Sequence, residues 1–230
     1  MNDFVRQVDT SGFAFVPSFL ASVELEILDR ALPAQHNAGL RNLLDLPGIA
    51  ELAASQKVRS LVDLLLGPDA FPVRGILFDK TPVANWKVSW HQDLSIAVAQ
   101  QRDAPGYGPW SEKSGVPHVQ PPVEVLERMV AVRIHLDESG ADNGPLRVLP
   151  RSHRAGKLRD AEIPSWRSRT AEQACLVPRG GVLLMRPLLI HASSPARKPI
   201  HRRVIHVEYA ACHFAPGLEW RWAGHGSRAA

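Results

Sequence analysis

Residues 183–210 read LLMRPLLIHASSPARKPIHRRVIHVEYA. Two short apolar runs, Val182 to Met185 and Arg203 to Ala211, are separated by a middle rich in Pro and Ser. Short runs bounded by turn formers are the texture of β-strands. The same texture extends back to about residue 70, through Val73 to Phe78, Val88 to Val98, Met129 to Leu136, Leu146 to Leu149 and Ala174 to Val177. Many short strands with Gly and Pro spacers predict a β-sandwich or barrel. The 19 prolines agree, being about 8% of residues against a usual ~5%.

Residues 1–70 have a different character. Gly12 to Pro17 reads as one short strand. Phe19 to Leu32 repeats Leu25, Leu28 and Leu32 at helical spacing and stops before Pro33. Lys57 to Leu66 predicts a second amphipathic helix, closed by Gly67-Pro68. The expectation is a single domain over 1–230, mainly β with flanking helices: a mostly helical part over 1–70 and a β core over 71–215. Asp103 to Pro122 (DAPGYGPWSEKSGVPHVQPP) is too long and too rich in Pro and Gly for a simple turn, and is expected to be a lid loop.

Composition limits the function classes. With 45% hydrophobic and 22% charged residues, wholesale disorder is excluded. The net charge of +4 is spread along the chain with no run of five like charges. It therefore favours small anionic ligands and argues against a nucleic-acid partner. Two cysteines, Cys175 and Cys212, match no metal or disulfide spacing and fit a reduced, cytoplasmic setting. The opening MNDFVRQVDT lacks a basic segment followed by an apolar one, so no signal peptide is expected. No 18-residue apolar stretch exists, so no membrane partner is expected either. Oligomeric state is not legible.

Ten histidines are the compositional oddity. In Trp90–Val98, WHQDLSIAV, His91 and Asp93 stand two apart in an apparent strand, where alternation puts both on one face. Two imidazoles and one carboxylate make the facial triad of non-haem Fe(II), and His191, at the end of an apolar run, is placed to be the third ligand. Arg202 opens the next strand-like segment eleven residues later. A guanidinium there would suit the far carboxylate of a dicarboxylate co-substrate, because it binds in a bidentate way that lysine cannot.

The combination LFDKTP, WHQD, DNGPLRVLPRSH, HASSP and HRRVIHVEYA, in this order, resembles the phytanoyl-CoA dioxygenase family, whose relatives include ectoine hydroxylase. The opening GFAFVPSFL and its following helix are similar too, so the likeness runs from about Ser11 to Tyr209. It implies a double-stranded β-helix (jelly-roll) core, an enzyme using Fe(II) and 2-oxoglutarate, and hydroxylation of a small-molecule substrate with O2. By position it implies His91, Asp93 and His191 as iron ligands and Arg202 on 2-oxoglutarate, assisted by Ser193. The chain departs from the family at Pro150-Arg151-Ser152-His153, where relatives usually have Pro-Gly-Ser-His. It departs again at Arg133 and His135, where they often have an aromatic.

Further residues carry two readings each. Lys80 and Asn85 precede the metal motif and would reach the co-substrate or close a strand end. Arg133 and His135 share a strand face and would hold a substrate carboxylate, or form an ion-pair network with Asp137 or Glu208. His118 and Gln120, in the expected lid, would cover substrate or face solvent. Trp86, Trp90 and Trp110 read as packing residues; His36, His213 and His225 read as surface. Asp93 in place of Gly or Ala favours hydroxylation over halogenation. A small substrate, anionic or zwitterionic, follows from Arg133 and the basic balance. Two other functions fit the residues: an inactive jelly-roll binding protein, and a cupin-like metalloenzyme that does not use 2-oxoglutarate.

Overall fold

The computed structural model describes residues 2–33, 39–212, 214 and 217–222; His36, His213 and His225 lie outside them. The helices are α1 (Asp3–Ser11), α2 (Ser22–Ala31), α3 (Pro47–Ala54), α4 (Gln56–Leu66), α5 (Val123–Glu127) and α6 (Ile163–Arg169). The strands are β1 (Phe13–Val16), β2 (Gly39–Leu40), β3 (Phe71–Lys80), β4 (Val88–His91), β5 (Ile96–Ala97), β6 (Trp110–Lys113) and β7 (Val116–Val119). They continue as β8 (Met129–His135), β9 (Leu146–Val148), β10 (Gln173–Cys175), β11 (Val182–Met185), β12 (His191–Ser193) and β13 (Arg202–Ala210).

A six-stranded antiparallel sheet has the order β1-β11-β8-β13-β3-β2, and a four-stranded one the order β10-β9-β12-β4. The architecture is the mainly β jelly roll with flanking helices that the strand texture predicts. Alternation along the major sheet decides what each face does. Ile205, Val207 and Tyr209 of β13 point outward and join Leu25 and Leu28 of α2, Ile49 and Ala53 of α3, and Leu61 and Val62 of α4 in one core. Full burial of each such side chain contributes about 1.5–3 kcal/mol. The Tyr209 hydroxyl donates to the Ala53 carbonyl at 3.0 Å, so burial leaves it satisfied.

The helices end where local chemistry stops them. Ser55 caps α4 by accepting the Val58 N–H, and Gly67 at φ 91° closes it. The turn of α2 breaks at Leu32, extended as a residue before proline must be. Between the two sheets Phe13, Ala131, Leu183 and Met185 pack against Leu146, Val148 and Cys175. That apolar plug fills one part of the inter-sheet space; the rest of the inner face carries most of the buried charged and histidine side chains, interspersed with Ile76, Phe78 and Val204.

Two sequence expectations need correction. The strand taken as Val88 to Val98 stops at His91 and resumes as β5, so Asp93 lies in the connection. The expected lid is also not a plain loop. Residues 110–119 form the hairpin β6–β7, which with β5 makes a third, three-stranded sheet. Ser114 and Gly115 at the hairpin tip both have positive φ, as a type I′ turn requires. The several prolines hid the strands, but Pro117 sits in β7, where its carbonyl accepts the Val98 N–H. No helix of the described residues is long and apolar enough to cross a membrane.

Candidate active site

β4 and β12 run antiparallel with His91 directly opposite His191, their ring centroids 4.3 Å apart. Asp93 reaches the same point from just beyond β4, fixed by its own N–H donating to the Pro187 carbonyl at 2.9 Å. Its two oxygens stand 3.6 Å from Nε2 of His91 and 3.6 Å from Nε2 of His191. One donor atom from each residue falls within 4.8 Å of the other two. Each imidazole is oriented through its other nitrogen: Nδ1 of His91 on the Ser89 carbonyl and Nδ1 of His191 on the Leu189 carbonyl, both at 2.8 Å. That leaves both Nε2 atoms facing the carboxylate, the arrangement metal-binding histidines use.

The electrostatics agree. Burial drives His191 down to about 4, against a smaller opposing effect of Asp93, which favours the neutral imidazole that ligates a metal. Burial opposes ionisation of Asp93, but His191 and His91 outweigh it and hold the carboxyl well below its ordinary range. Burial, the largest single effect, pushes His91 down, but Asp93 together with backbone contacts at Ser89 and His191 raises it above its ordinary value. Gln92, the middle residue of the motif, points the other way. Its amide donates to the Gly156 and Leu188 carbonyls at 2.9 and 2.6 Å and accepts the Leu158 N–H at 2.8 Å, clamping the strand end from behind.

A second cluster adjoins the triad. Ser193, on the same face of β12 as His191, accepts from Nζ of Lys80 at 3.0 Å, and Lys80 also donates to the Ser194 carbonyl. Lys80 is the cross-strand partner of Arg202. Arg202 is 3% exposed and donates to the Gly144 carbonyl, yet its Nε has no partner and no carboxylate pairs with it among the described residues. Burial, then Arg133, lowers Arg202 to about 10; burial, then Arg202 and Arg147, lowers Lys80 to about 7. Asn85 spends both halves of its amide on the backbone of Ala196, at 2.9 and 2.6 Å, and ties the loop after β3 to the loop after β12.

The inner wall continues along β8 and β13. Arg133 lies opposite His206 and donates to its Nδ1 at 2.9 Å, 5.3 Å above the Phe78 ring; its Nε is unpartnered. His135 is buried with both ring nitrogens unpartnered, and burial, then Arg133 and Arg202, holds it well below 6.5. Of the two carboxylates offered for a network with Arg133 and His135, Asp137 binds Arg203 instead, while Glu208, which also binds Arg74, reaches Arg133 only through His206. His118 is not on a solvated loop but buried on β7, with Nδ1 on the Val116 carbonyl at 2.9 Å. The backbone of Gln120 closes the turn at Gly108 and Pro109. Arg74, His206 and Glu208 complete this wall. Their signal in the sequence was parity: counting by twos from Arg202 reaches His206 and Glu208, and from Lys80 reaches Arg74.

The Pro-Arg-Ser-His corner supports the triad from below. Arg151 adopts φ +71°, the left-handed conformation that glycine takes freely, and Ser152 accepts the Ile190 N–H at 2.8 Å, one residue before His191.

A sequence profile of the phytanoyl-CoA dioxygenase (PhyH) family matches residues 10–204. The chain belongs to that family. Its enzymes are oxygenases that use non-haem iron and 2-oxoglutarate, and this is the enzyme class and the cofactor set of this PhyH-family protein. Among solved structures, EctD from S. alaskensis with 2-oxoglutarate and 5-hydroxyectoine superposes with a TM-score of 0.69 at 19% identity, covering 90% of this chain and 74% of that one. SnoK, a non-haem α-ketoglutarate-dependent carbocyclase from nogalamycin biosynthesis, gives 0.69 at 15% identity over 91% and 83%. AviO1 from Streptomyces viridochromogenes Tue57 gives 0.64 at 22% over 93% and 96%. At these identities the likeness is one of fold. The chain spans about half, 49%, of another structural relative, EvdMO1. No curated protein matches it by sequence.

Proposed function

We propose that this PhyH-family protein hydroxylates a small anionic or zwitterionic molecule with O2, using His91, Asp93 and His191 to hold Fe(II) and Arg202, Ser193 and Lys80 to hold 2-oxoglutarate. The reading rests on one juxtaposition: a two-histidine, one-carboxylate donor set beside a buried guanidinium that has no counter-ion. An unpaired buried charge costs several kcal/mol, so a site that keeps one is built around an anionic ligand. Both groups fit. The two Nε2 atoms and the carboxylate are a donor set suited to iron, and the free Nε of Arg202 suits a carboxylate.

When bound, iron and 2-oxoglutarate supply the oxidising chemistry, in which 2-oxoglutarate gives succinate and CO2. The protein's own residues orient and shield. The backbone carbonyls of Ser89 and Leu189 keep the imidazoles in the ligating tautomer. The Lys80–Ser193 bond ties β3 of the major sheet to β12 of the smaller one, so the two sheets that would hold the two ends of the co-substrate are fixed to each other. Arg133 and His135, buried with unpartnered nitrogens on the same face, offer donors to an acidic group of substrate or co-substrate. Asn85 holds the wall, while His118 and Gln120 lie on the hairpin side. The intact carboxylate of Asp93 favours hydroxylation over halogenation. The N-terminal helices cover the outer face of the major sheet, which carries Arg202, Lys80, Arg133 and His135 on its inner face, and this supports reading the chain as one oxygenase domain. Two free, buried cysteines support a cytoplasmic setting.

Succinate release in air, with Fe(II) and 2-oxoglutarate supplied, tests the reading. Turnover by the native protein that disappears in Asp93→Ala is the expected result. Iron binding without 2-oxoglutarate consumption would favour the cupin-like alternative, and no metal binding would favour the inactive binding protein.

A further inference from the structure

A second set of cations stands on the inner face, far from Arg202. Arg74 lies six residues from Lys80 on β3, about 20 Å along the strand at ~3.3 Å per residue, too far for one five-carbon diacid to touch both. The segment after β2 continues along β3: Leu40 pairs with Leu77 on the outward register, so Arg41, next in the chain, falls on the inward side near Ile76 and Arg74. Its Asn42 donates to the Ser114 carbonyl at the tip of the β6–β7 hairpin, at 3.4 Å. Arg41 and Lys113, each one residue before those partners, are thereby brought to neighbouring strips. Nζ of Lys113 donates to Oγ of Ser95 at 2.8 Å, two residues beyond Asp93, so its charge is anchored next to the triad.

The charges here do not balance. Burial is the largest effect on Arg41, Lys113 and His118, but Arg74 also lowers Arg41, Arg74 and Arg41 lower Lys113 against smaller opposing effects of Asp93 and Glu208, and all three cations lower His118 on β7. Glu208 is committed to Arg74 and His206. No carboxylate pairs with Arg41 or Lys113 among the described residues, and Asp93 belongs to the donor set. His118 adds no charge, since burial holds it down to about 4. Nε of Arg74 is buried and unpartnered.

We propose, resting on the function above, that Arg41 and Lys113, backed by Arg74, form the anion subsite of the substrate. A carboxylate or phosphate on the substrate would seat between the hairpin tip and the segment after β2, with the rest of the molecule directed to His91, Asp93 and His191. The hairpin thus acts as a specificity element that admits acidic molecules and disfavours neutral ones of the same shape.

The test uses the full chain loaded anaerobically with Fe(II) and 2-oxoglutarate, whose charge-transfer band is first recorded. Hexanoate, hexyl phosphate and hexanamide are then titrated and the band perturbation is followed. One or both anions should bind, whichever responds more strongly identifying the headgroup, and hexanamide should not. Lys113→Gln and Arg41→Gln should each weaken anion binding roughly tenfold, while the band itself and the affinity for 2-oxoglutarate stay unchanged. Lys113→Arg should restore most of the binding. Hexanamide binding as well as hexanoate, no response to either anion at millimolar concentration, or unchanged anion binding in both Gln variants would overturn the proposal. Failure of the band to form at all would instead sink the reading on which it rests.

Discussion

The two faces of β13 carry opposite chemistry within nine residues. Outward, Ile205, Val207 and Tyr209 are sealed under helices, and the Tyr209 hydroxyl is paired. Inward, Arg202, His206 and Glu208 meet Lys80, Arg133 and Arg74, and unpartnered nitrogens remain on Arg202, Arg133, Arg74 and His135. Unpaired buried polar atoms are few in native proteins, and each asks for an explanation. Among the described residues other such atoms occur elsewhere, on Asp79 for example, but four neighbouring residues of this inner face leave them together, which makes it the face with unmet interactions to offer a ligand, while the apolar outer face carries stability.

The sharpest way to break the contrast is on the inner face. Asp93→Ala should lower Fe(II) affinity by more than about 100-fold and abolish succinate formation while leaving the fold intact; metal titration and circular dichroism read the two effects. A variant that retained iron would remove the donor set from the account. On the outer face, Ile205→Ala should cost about 2–5 kcal/mol in urea unfolding, while the folded fraction binds 2-oxoglutarate as before. A loss of co-substrate affinity there would mean that the faces are not separable.

Lys80 tests the same contrast through pH. Burial, then Arg202 and Arg147, brings it down to about 7 in the free protein, whereas binding a carboxylate calls for the ammonium. Affinity for 2-oxoglutarate should therefore be level below pH 7 and fall above it, by at most about tenfold per pH unit, because binding must then take up a proton. Lys80→Met should bind more weakly and lose that slope. A slope of equal size in Lys80→Met would assign it to another group. The smallest effect is at the corner under the triad. Arg151 holds a left-handed conformation, so Arg151→Gly should stabilise by about 0.5–1 kcal/mol in urea unfolding without changing iron affinity.

The outer face was legible because apolar period and helix stops are local signals. Leu25, Leu28, Pro33 and Gly67-Pro68 each announced their role. The donor set was legible because His91 and Asp93 sit close in sequence and Arg202 follows His191 closely. What stayed hidden depended on pairing across the sheet. Arg74, His206 and Glu208 look like ordinary strand charges until register sets them opposite one another. The β6–β7 hairpin was masked by its prolines, and with it the burial of His118 and the position of Lys113. Asn85 was singled out, as a co-substrate contact or a strand-end residue, but its partner Ala196, 111 residues away, could not be read.

The most direct test is an anaerobic titration of 2-oxoglutarate into the Fe(II)-loaded protein and its Arg202→Met variant. A visible charge-transfer band is expected in the native protein. Arg202→Met should bind Fe(II) normally, need about 100-fold more 2-oxoglutarate for the same band, and unfold no more readily without ligand, since a buried charge lacking a partner has been removed. A native protein that forms no band, or a variant that forms it at the same 2-oxoglutarate concentration, would contradict the account.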